Sequence, residues 1–532
     1  MRLPLQTQFE SVAVLARRGM LRPVRPDRLV SAGRAFYRWG TTPATACVVN
    51  AITRPDQTAV IDSEGAVNWR ELDRRTNAIA RGFSELGLES GERIGILCRN
   101  GIPLIESVFA SGKLGAHALM LNTSFSAAEL QGVLEREQPR VLVHDEEFSA
   151  LVEEASPNAT SRVATGNPLA RLRDENLESP LDPPPDEGRM VILTSGTTGA
   201  PKGARIARAA GLEPLAWFLS VVPINAGSIC LIPAPLFHAH GLGQFTIATA
   251  LGCTVVLPRG FDAEEALALI EQHRIEVIAV VPTMLQRIMD LDPDVRRRYD
   301  TSALRVVVCS GSALDARLAR KFMDEFGRVL YNLYGSTEVA WATIATPDDL
   351  LQAPGTVGRP PPHTRLEILD ESGRPLPRGS TGHIFVGHEM LFEGYTDPTK
   401  DRSRVNGMLT PGDLGHVDQE GRLFIDSRED DMIVSGGENV YPGQVEEVLR
   451  EHPDIGDAVV MGVEDERFGQ RLVAFVVPRA GSDLTAEDVL SFSRENLARF
   501  KVPREVHLRE DLPRNALGKV LRRELRPDTA AS

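Results

Sequence analysis

From about residue 50 onward, short apolar runs alternate with longer amphipathic stretches, and that alternation leaves few folds open. Arg93 to Leu97, Val141 to Val143, Glu276 to Val281 and Arg305 to Cys309 have the length and composition of strands. Glu71 to Leu86 and Ala263 to His273 carry helical periodicity. Strands alternating with helices assemble mainly as parallel sheets covered by helices, so the expected class is α/β. With 532 residues the chain has length for several compact units. No internal repeat of fixed period is visible. A proline-rich stretch from Leu172 to Gly188 reads as a connection ahead of the next strand. A sheet-like segment, Arg422 to Ile425, gives way to the charged, glycine-containing loop Ser427 to Gly437, where the main domain boundary is expected.

Composition is that of a globular protein, 42% apolar and 25% charged, and Arg, Asp, Pro or Gly interrupts every apolar run before it reaches membrane-spanning length. A formal charge of −14 argues against general nucleic-acid binding, which needs a basic face. Cys47, Cys98, Cys230, Cys253 and Cys309 are scattered and form no CxxC pair, which fits buried thiols in a reducing cytoplasm. The first 40 residues depart from this pattern. They carry eight arginines against Glu10 and Asp27, a local charge of +6 that leaves −20 for the remainder. Val12, Val14, Leu15, Leu21, Leu29, Val30, Phe36 and Tyr37 interleave with the arginines. This pattern suits an amphipathic helix at an anionic membrane surface, with a solvated helical cap as the alternative.

The sharpest local feature is MVILTSGTTGAPKGA, Met190 to Ala204, an apolar strand running into a loop of Ser, Thr and Gly that ends at Lys202. Small residues let backbone amides approach phosphate oxygens, with hydroxyls and one cation aimed at the same charge. It is not a Walker A loop, because Pro201 precedes the lysine and Gly203 follows it. The stretch resembles the phosphate loop of the adenylate-forming family, which includes acyl-CoA synthetases, luciferase-like ligases and peptide-synthetase adenylation domains. Further segments carry the same resemblance in the family's order: VVVCSGSAL (Val306 to Leu314), YNLYGSTEVAWATIATP (Tyr331 to Pro347), LTPGDLGHVD near Asp413, DSREDDMIVSGGENVYPGQVEEVL (Asp426 to Leu449) and LPRNALGKVLRREL (Leu512 to Leu525). One departure is Pro411, between Thr410 and Gly412 in the ribose motif.

The resemblance implies a large N-terminal domain of mixed and parallel sheets covered by helices, with a small β-barrel-like subdomain, followed by a small mobile α+β C-terminal domain. The boundaries are a basic extension over 1–48, a large domain over 49–429 and a small domain over 430–532, with the hinge at Asp430. It implies nucleotide binding by Thr194, Ser195, Gly196, Thr197, Thr198, Gly199 and Lys202, and by Gly311, Ser312 and Ala313 along adenine. Tyr334, Gly335, Ser336 and Thr337 would follow the base and α-phosphate, and Asp413 and Arg428 the ribose. Lys519, Thr337, Glu338 and Lys202 would act in catalysis, with Glu338 also a magnesium ligand, an oxygen donor of the kind a hard cation requires. His238, Gly241, Gly243 and Ala340 would line the acyl pocket, and Ser435, Gly436, Gly437, Glu438 and Asn439 a loop on the CoA side. The implied substrates are a carboxylic acid, ATP and CoA, with Mg2+.

Similarity to actinobacterial fatty-acid-CoA ligases, in YNLYGSTEVAWATIATP and EMLFEGY, favours a medium- or long-chain fatty acid. A fatty-acyl-AMP ligase that loads a carrier protein, an aryl-acid-CoA ligase and a non-catalytic nucleotide-binding protein remain as alternatives. The short interval from Glu338 to Asp413 leaves little space for the insertion carried by carrier-loading ligases. A cytoplasmic location, peripheral at the membrane through the N-terminus, and a homodimer complete the expectation.

Overall fold

A computed structural model describes residues 5–20, 25–155, 161–185, 187–194, 202–207, 211–397, 399, 404–429, 433–435, 438–465, 469–497, 501–515 and 518–526. Three sheets make up its larger part. One runs Thr343–Ala345, Leu330–Tyr334, Val306–Cys309, Val277–Val280, Ile229–Leu231, Thr254–Val256, Thr58–Asp62 and Gly65–Asn68 in spatial order, parallel except at its two ends. A second runs Ser161–Ala164, Val141–His144, Arg93–Leu97, His117–Met120, Met190–Thr194 and Lys202–Arg205, parallel except for its last pair. The expected strands and helices appear with small shifts. Glu276 to Val281 shortens to Val277–Val280, and Ala263 to His273 is helical end to end, capped where the Asp262 carboxylate accepts from the amides of Glu264 and Glu265.

The central strands are buried on both faces, which is why Val306–Cys309 and Val277–Val280 read as unbroken apolar runs. Helix Trp69–Glu85 buries Trp69, Leu72, Ile79 and Phe83 in the largest core cluster. It also pins the proline-rich connection, since Asn77 donates to the Glu178 carbonyl at 3.1 Å and Arg81 to that of Ser179 at 2.8 Å.

The third sheet is antiparallel, Arg365–Leu369, Gly382–Gly387, Asp413–Val417 and Leu423–Arg428. Among the described residues its strand path runs from Arg365–Leu369 to Leu423–Arg428, extended by bridges of Gly358 to Leu423 and of Val386 to Leu409. The smaller C-terminal unit has a five-stranded sheet built on Ile455–Asp465 and Gly469–Pro478. Helices Pro442–Arg450 and Ala486–Asn496 cover it, over a core of Ile433, Val445, Leu449, Val460 and Leu472.

The basic N-terminal segment is helical: α1 is Leu5–Arg17 and α2 is Pro26–Trp39, followed by α3, Pro43–Thr53. Helix α1 packs on helix Glu213–Val221 and α2 on α3. Among the described residues no helix is long and apolar enough to cross a bilayer.

Candidate active site

In a parallel sheet the loops leaving the carboxyl ends of the strands converge on one edge, and that edge is where ligands bind. Strand Val306–Cys309 ends there in Ser310, whose hydroxyl donates to the Leu333 carbonyl at 2.7 Å, and Gly311, Ser312 and Ala313 follow. The neighbouring strand Leu330–Tyr334 ends in Tyr334 and turns through Gly335, Ser336, Thr337, Glu338 and Ala340. Gly335 is required in that turn: a Cβ there would lie 1.8 Å from the Ala340 carbonyl oxygen. Ala340 itself adopts a left-handed conformation, φ 49°.

Two polar clusters organise the turn. The Tyr334 hydroxyl donates to Asp413 Oδ2 at 2.6 Å, and Arg428 pairs with Asp413 Oδ1 at 3.2 Å. Antiparallel pairing sets Asp413 opposite Arg428, so two residues of the ribose motif meet by register. Burial and the Asp413 charge push the Tyr334 phenol well above its usual range, which keeps it a proton donor. Pro411 is absorbed in the turn before this strand, where the Gly412 amide donates to the Thr410 hydroxyl at 3.0 Å.

The second cluster surrounds Glu338, which is buried. Ser336 donates to its Oε2 at 2.7 Å and Tyr395 to its Oε1 at 2.7 Å. The Tyr395 ring lies 5.6 Å beneath the Lys202 ammonium, within cation–π range. The strand behind the phosphate loop is stitched to the same segment, with the Arg205 amide donating to the Gly394 carbonyl at 3.1 Å and the Thr396 amide to that of Gly203 at 2.7 Å. Tyr395 belongs to EMLFEGY, a segment that carried the family resemblance without a role for this residue. Its proximity to Glu338 is tertiary and has no signal in local sequence.

The stems of the phosphate loop are paired, Thr194 opposite Lys202. The loop between them, with Ser195, Gly196, Thr197, Thr198 and Gly199, lies outside the described residues, as do Asp430, Gly436 and Gly437. Ser435, Glu438 and Asn439 sit in a short antiparallel hairpin, with Ser435 opposite Glu438. The Lys519 loop reaches the large domain, since Gly518 abuts Thr283 on helix Pro282–Asp290, which leaves the same sheet edge after strand Val277–Val280. Asn515 holds this loop, its side-chain oxygen accepting from the Lys519 amide at 2.9 Å.

Histidine and aromatic side chains gather around the expected acyl residues His238 and Ala340. Burial pushes His238 and His240 down to about 4, and it lowers His388, whose Nε2 contacts the Val339 and Trp341 carbonyls at 2.9 and 3.1 Å. His238 Nε2 is buried without a hydrogen-bond partner among the described residues, and its ring packs on Phe237. Trp341 packs between Phe218 and His388. Gly243 opens to free space, whereas Gly241 faces the Pro235 carbonyl oxygen, 2.4 Å from where its Cβ would be. Gly241 thus lets its helix start close against the preceding loop.

Among the described residues no cluster of three His, Cys, Asp or Glu is arranged to hold a metal. A single buried carboxylate with both oxygens directed still suits Mg2+, which keeps waters and substrate phosphates as most of its ligands. No cysteine is a candidate nucleophile. All five are buried, and burial raises Cys47 to about 12 and Cys98 further above its usual range.

This fold and edge define a nucleotide-dependent, carboxylate-activating enzyme of two units. The AMP-binding enzyme family model matches residues 48–396 and its C-terminal domain model residues 444–519, so the chain belongs to the AMP-binding enzyme family. Among its relatives, the fatty acid–[acyl-carrier-protein] ligase ScoC of Streptomyces coeruleorubidus is 34% identical, over 89% of this chain and 93% of that one. A feruloyl-CoA synthase of an Amycolatopsis species is 33% identical over 89% and 96%. The ATP-bound crystal structure of MatB from Rhodopseudomonas palustris superposes with a TM-score of 0.82 at 26% identity, covering 90% of this chain and 97% of that one. The chain is an AMP-forming acid–thiol ligase that uses ATP, CoA and Mg2+.

Proposed function

We propose that the acid is a medium- or long-chain fatty acid and that the acceptor is the CoA thiol. The observation that carries this reading is the set of neutral and aromatic side chains around the expected acyl residues, His238 on Phe237 and Trp341 between Phe218 and His388. Such a lining favours an acid without a second charge. An aromatic acid is the second reading, favoured by the feruloyl-CoA synthase relative.

In the first half-reaction a substrate carboxylate oxygen attacks the α-phosphorus of ATP and pyrophosphate leaves, giving acyl-AMP. Magnesium, when bound, neutralises phosphate charge. Asp413 would accept the ribose hydroxyls, with Arg428 and Tyr334 holding its carboxylate. Glu338 would present an oxygen to the cation, Lys202 and Thr337 would meet phosphate oxygens, and Gly311, Ser312 and Ala313 would let the base approach the backbone. Lys519 is a compact cation on a loop and would offset the charge that builds on the attacked phosphate. In the second half-reaction the thiol sulfur attacks the acyl carbonyl carbon, AMP departs with the bonding pair, and the thiol proton is released. Rotation about Asp430 would exchange Lys519 for the 435–439 loop between the two steps. The buried, free cysteines support a reducing, cytoplasmic setting.

The test is AMP release with ATP, Mg2+ and CoA across saturated fatty acids of increasing length, alongside ferulate, indoleacetate and benzoate, with thioesters identified by mass. Highest kcat/KM on a fatty acid supports the proposal. Highest kcat/KM on an aryl acid, or acyl-AMP formation without CoA transfer, overturns it.

A further inference from the structure

Helix α2 has two apolar faces, and the protein covers one. Ala32, Ala35 and Trp39 are buried, on the side that packs on α3. At about 100° per residue, Leu29, Val30, Gly33, Phe36 and Tyr37 fall on a separate stripe roughly 120° wide. It faces outward: Leu29 is 61% exposed, Val30 63% and Tyr37 90%. Arg34 lies at its margin. Helix α1 also turns apolar residues outward, and its pattern is inverted. Its buried face is Thr7, Ser11 and Leu15, with the Ser11 hydroxyl lacking a partner among the described residues, while Phe9 is 73% exposed and Val12 52%.

A helix that hides polar groups and shows apolar ones to water loses hydrophobic stabilisation unless something else covers it. Charge selects the occupant. The segment is +6 and the rest of the chain −20, so a second copy would bring mostly negative surface but no extended anionic plane, whereas an anionic bilayer offers both an apolar interior and fixed negative charge. We infer that α1 and α2 form a peripheral docking surface for an anionic lipid bilayer. Its place in the fold gives it a use. Helix α1 rests on Glu213–Val221, where Arg18 Nε donates to the Leu219 carbonyl at 3.1 Å, and Phe218 of that helix packs on Trp341 beside Ala340. The docking face is therefore one helix layer from the acyl side.

The inference goes beyond the ligase reading and does not rest on it, because vesicle binding is read without substrate. The full chain is sedimented with phosphatidylcholine vesicles that contain or lack phosphatidylglycerol. Binding only to the anionic vesicles, weakened by salt, is expected. The pair Leu29→Gln with Tyr37→Gln, at exposed positions, should lower the partition coefficient about tenfold or more, and Arg34→Gln about fivefold. Adenylation of a soluble short-chain acid and the melting temperature of these variants should stay as in the unaltered chain. Absence of binding to anionic vesicles, equal binding to neutral ones, or variants that sediment like the parent would overturn the inference. So would a dimer in sedimentation velocity that the Leu29→Gln, Tyr37→Gln pair abolishes.

Discussion

Replacing Tyr395 by Phe removes one hydroxyl and little else. The ring keeps its edge contact with Phe392, centroids 4.9 Å apart, and its place under Lys202. What disappears is the 2.7 Å hydrogen bond to Glu338 Oε1, between residues 3% and 8% exposed. A hydrogen bond to a carboxylate contributes about 1.5–3 kcal/mol, and a buried acceptor that loses its donor is not readily resolvated. Since about 1.4 kcal/mol corresponds to tenfold, adenylation kcat/KM should fall roughly 10- to 150-fold. The loss should appear as a higher Mg2+ requirement, because among the described residues Glu338 keeps only the Ser336 side chain to aim it. The assay is ATP–pyrophosphate exchange as a function of Mg2+, compared with CoA transfer from preformed acyl-AMP, which should change little. Exchange at the parent rate with an unaltered Mg2+ dependence would refute the positioning of Glu338 by Tyr395.

Gly335→Ala places a methyl against backbone that has nowhere to go, and should cost about 1–3 kcal/mol in denaturant unfolding while abolishing exchange. Asp413→Asn weakens the contacts to Arg428 and Tyr334, and an ATP titration should show KM raised about 10- to 100-fold with a smaller change in kcat. Lys519→Ala should stop acyl-AMP formation and spare thioester formation from supplied acyl-AMP; acyl-AMP formation at the parent rate would remove the lysine from the adenylation step. His238 and His240 titrate near 4 when folded and about 6.5 when unfolded. The unfolded chain therefore takes up protons first: stability is full above about 6.5 and falls as pH drops toward 4, by up to about 1.4 kcal/mol per pH unit for each histidine. Denaturant unfolding at pH 7.5 and 5.5 should show a slope that His238→Gln with His240→Gln flattens, and an unchanged slope would refute the assignment.

How much of this was legible in the sequence depends on how local each feature is. The buried strand Val306–Cys309 announces itself because burial on both faces demands an unbroken apolar run. The phosphate loop is legible because close approach to phosphate demands small residues in a row, and Gly335 because its turn admits no side chain. The surroundings of Gly241 and Gly243 are not legible in this way: a Cβ would meet the Pro235 carbonyl oxygen at the first and open space at the second, a difference set by what lies opposite each.

The sequence by itself determined the α/β class and the order of the motifs that carry the family resemblance, since each is written in a few consecutive positions. Only the tertiary structure decided that Tyr395 holds Glu338, that Tyr334 and Arg428 share Asp413, and that Phe9, Leu29 and Tyr37 face outward. Those facts depend on sheet order, strand register and which face of a helix meets the core. They are set by packing between segments far apart in the chain, a balance that no short window of sequence contains.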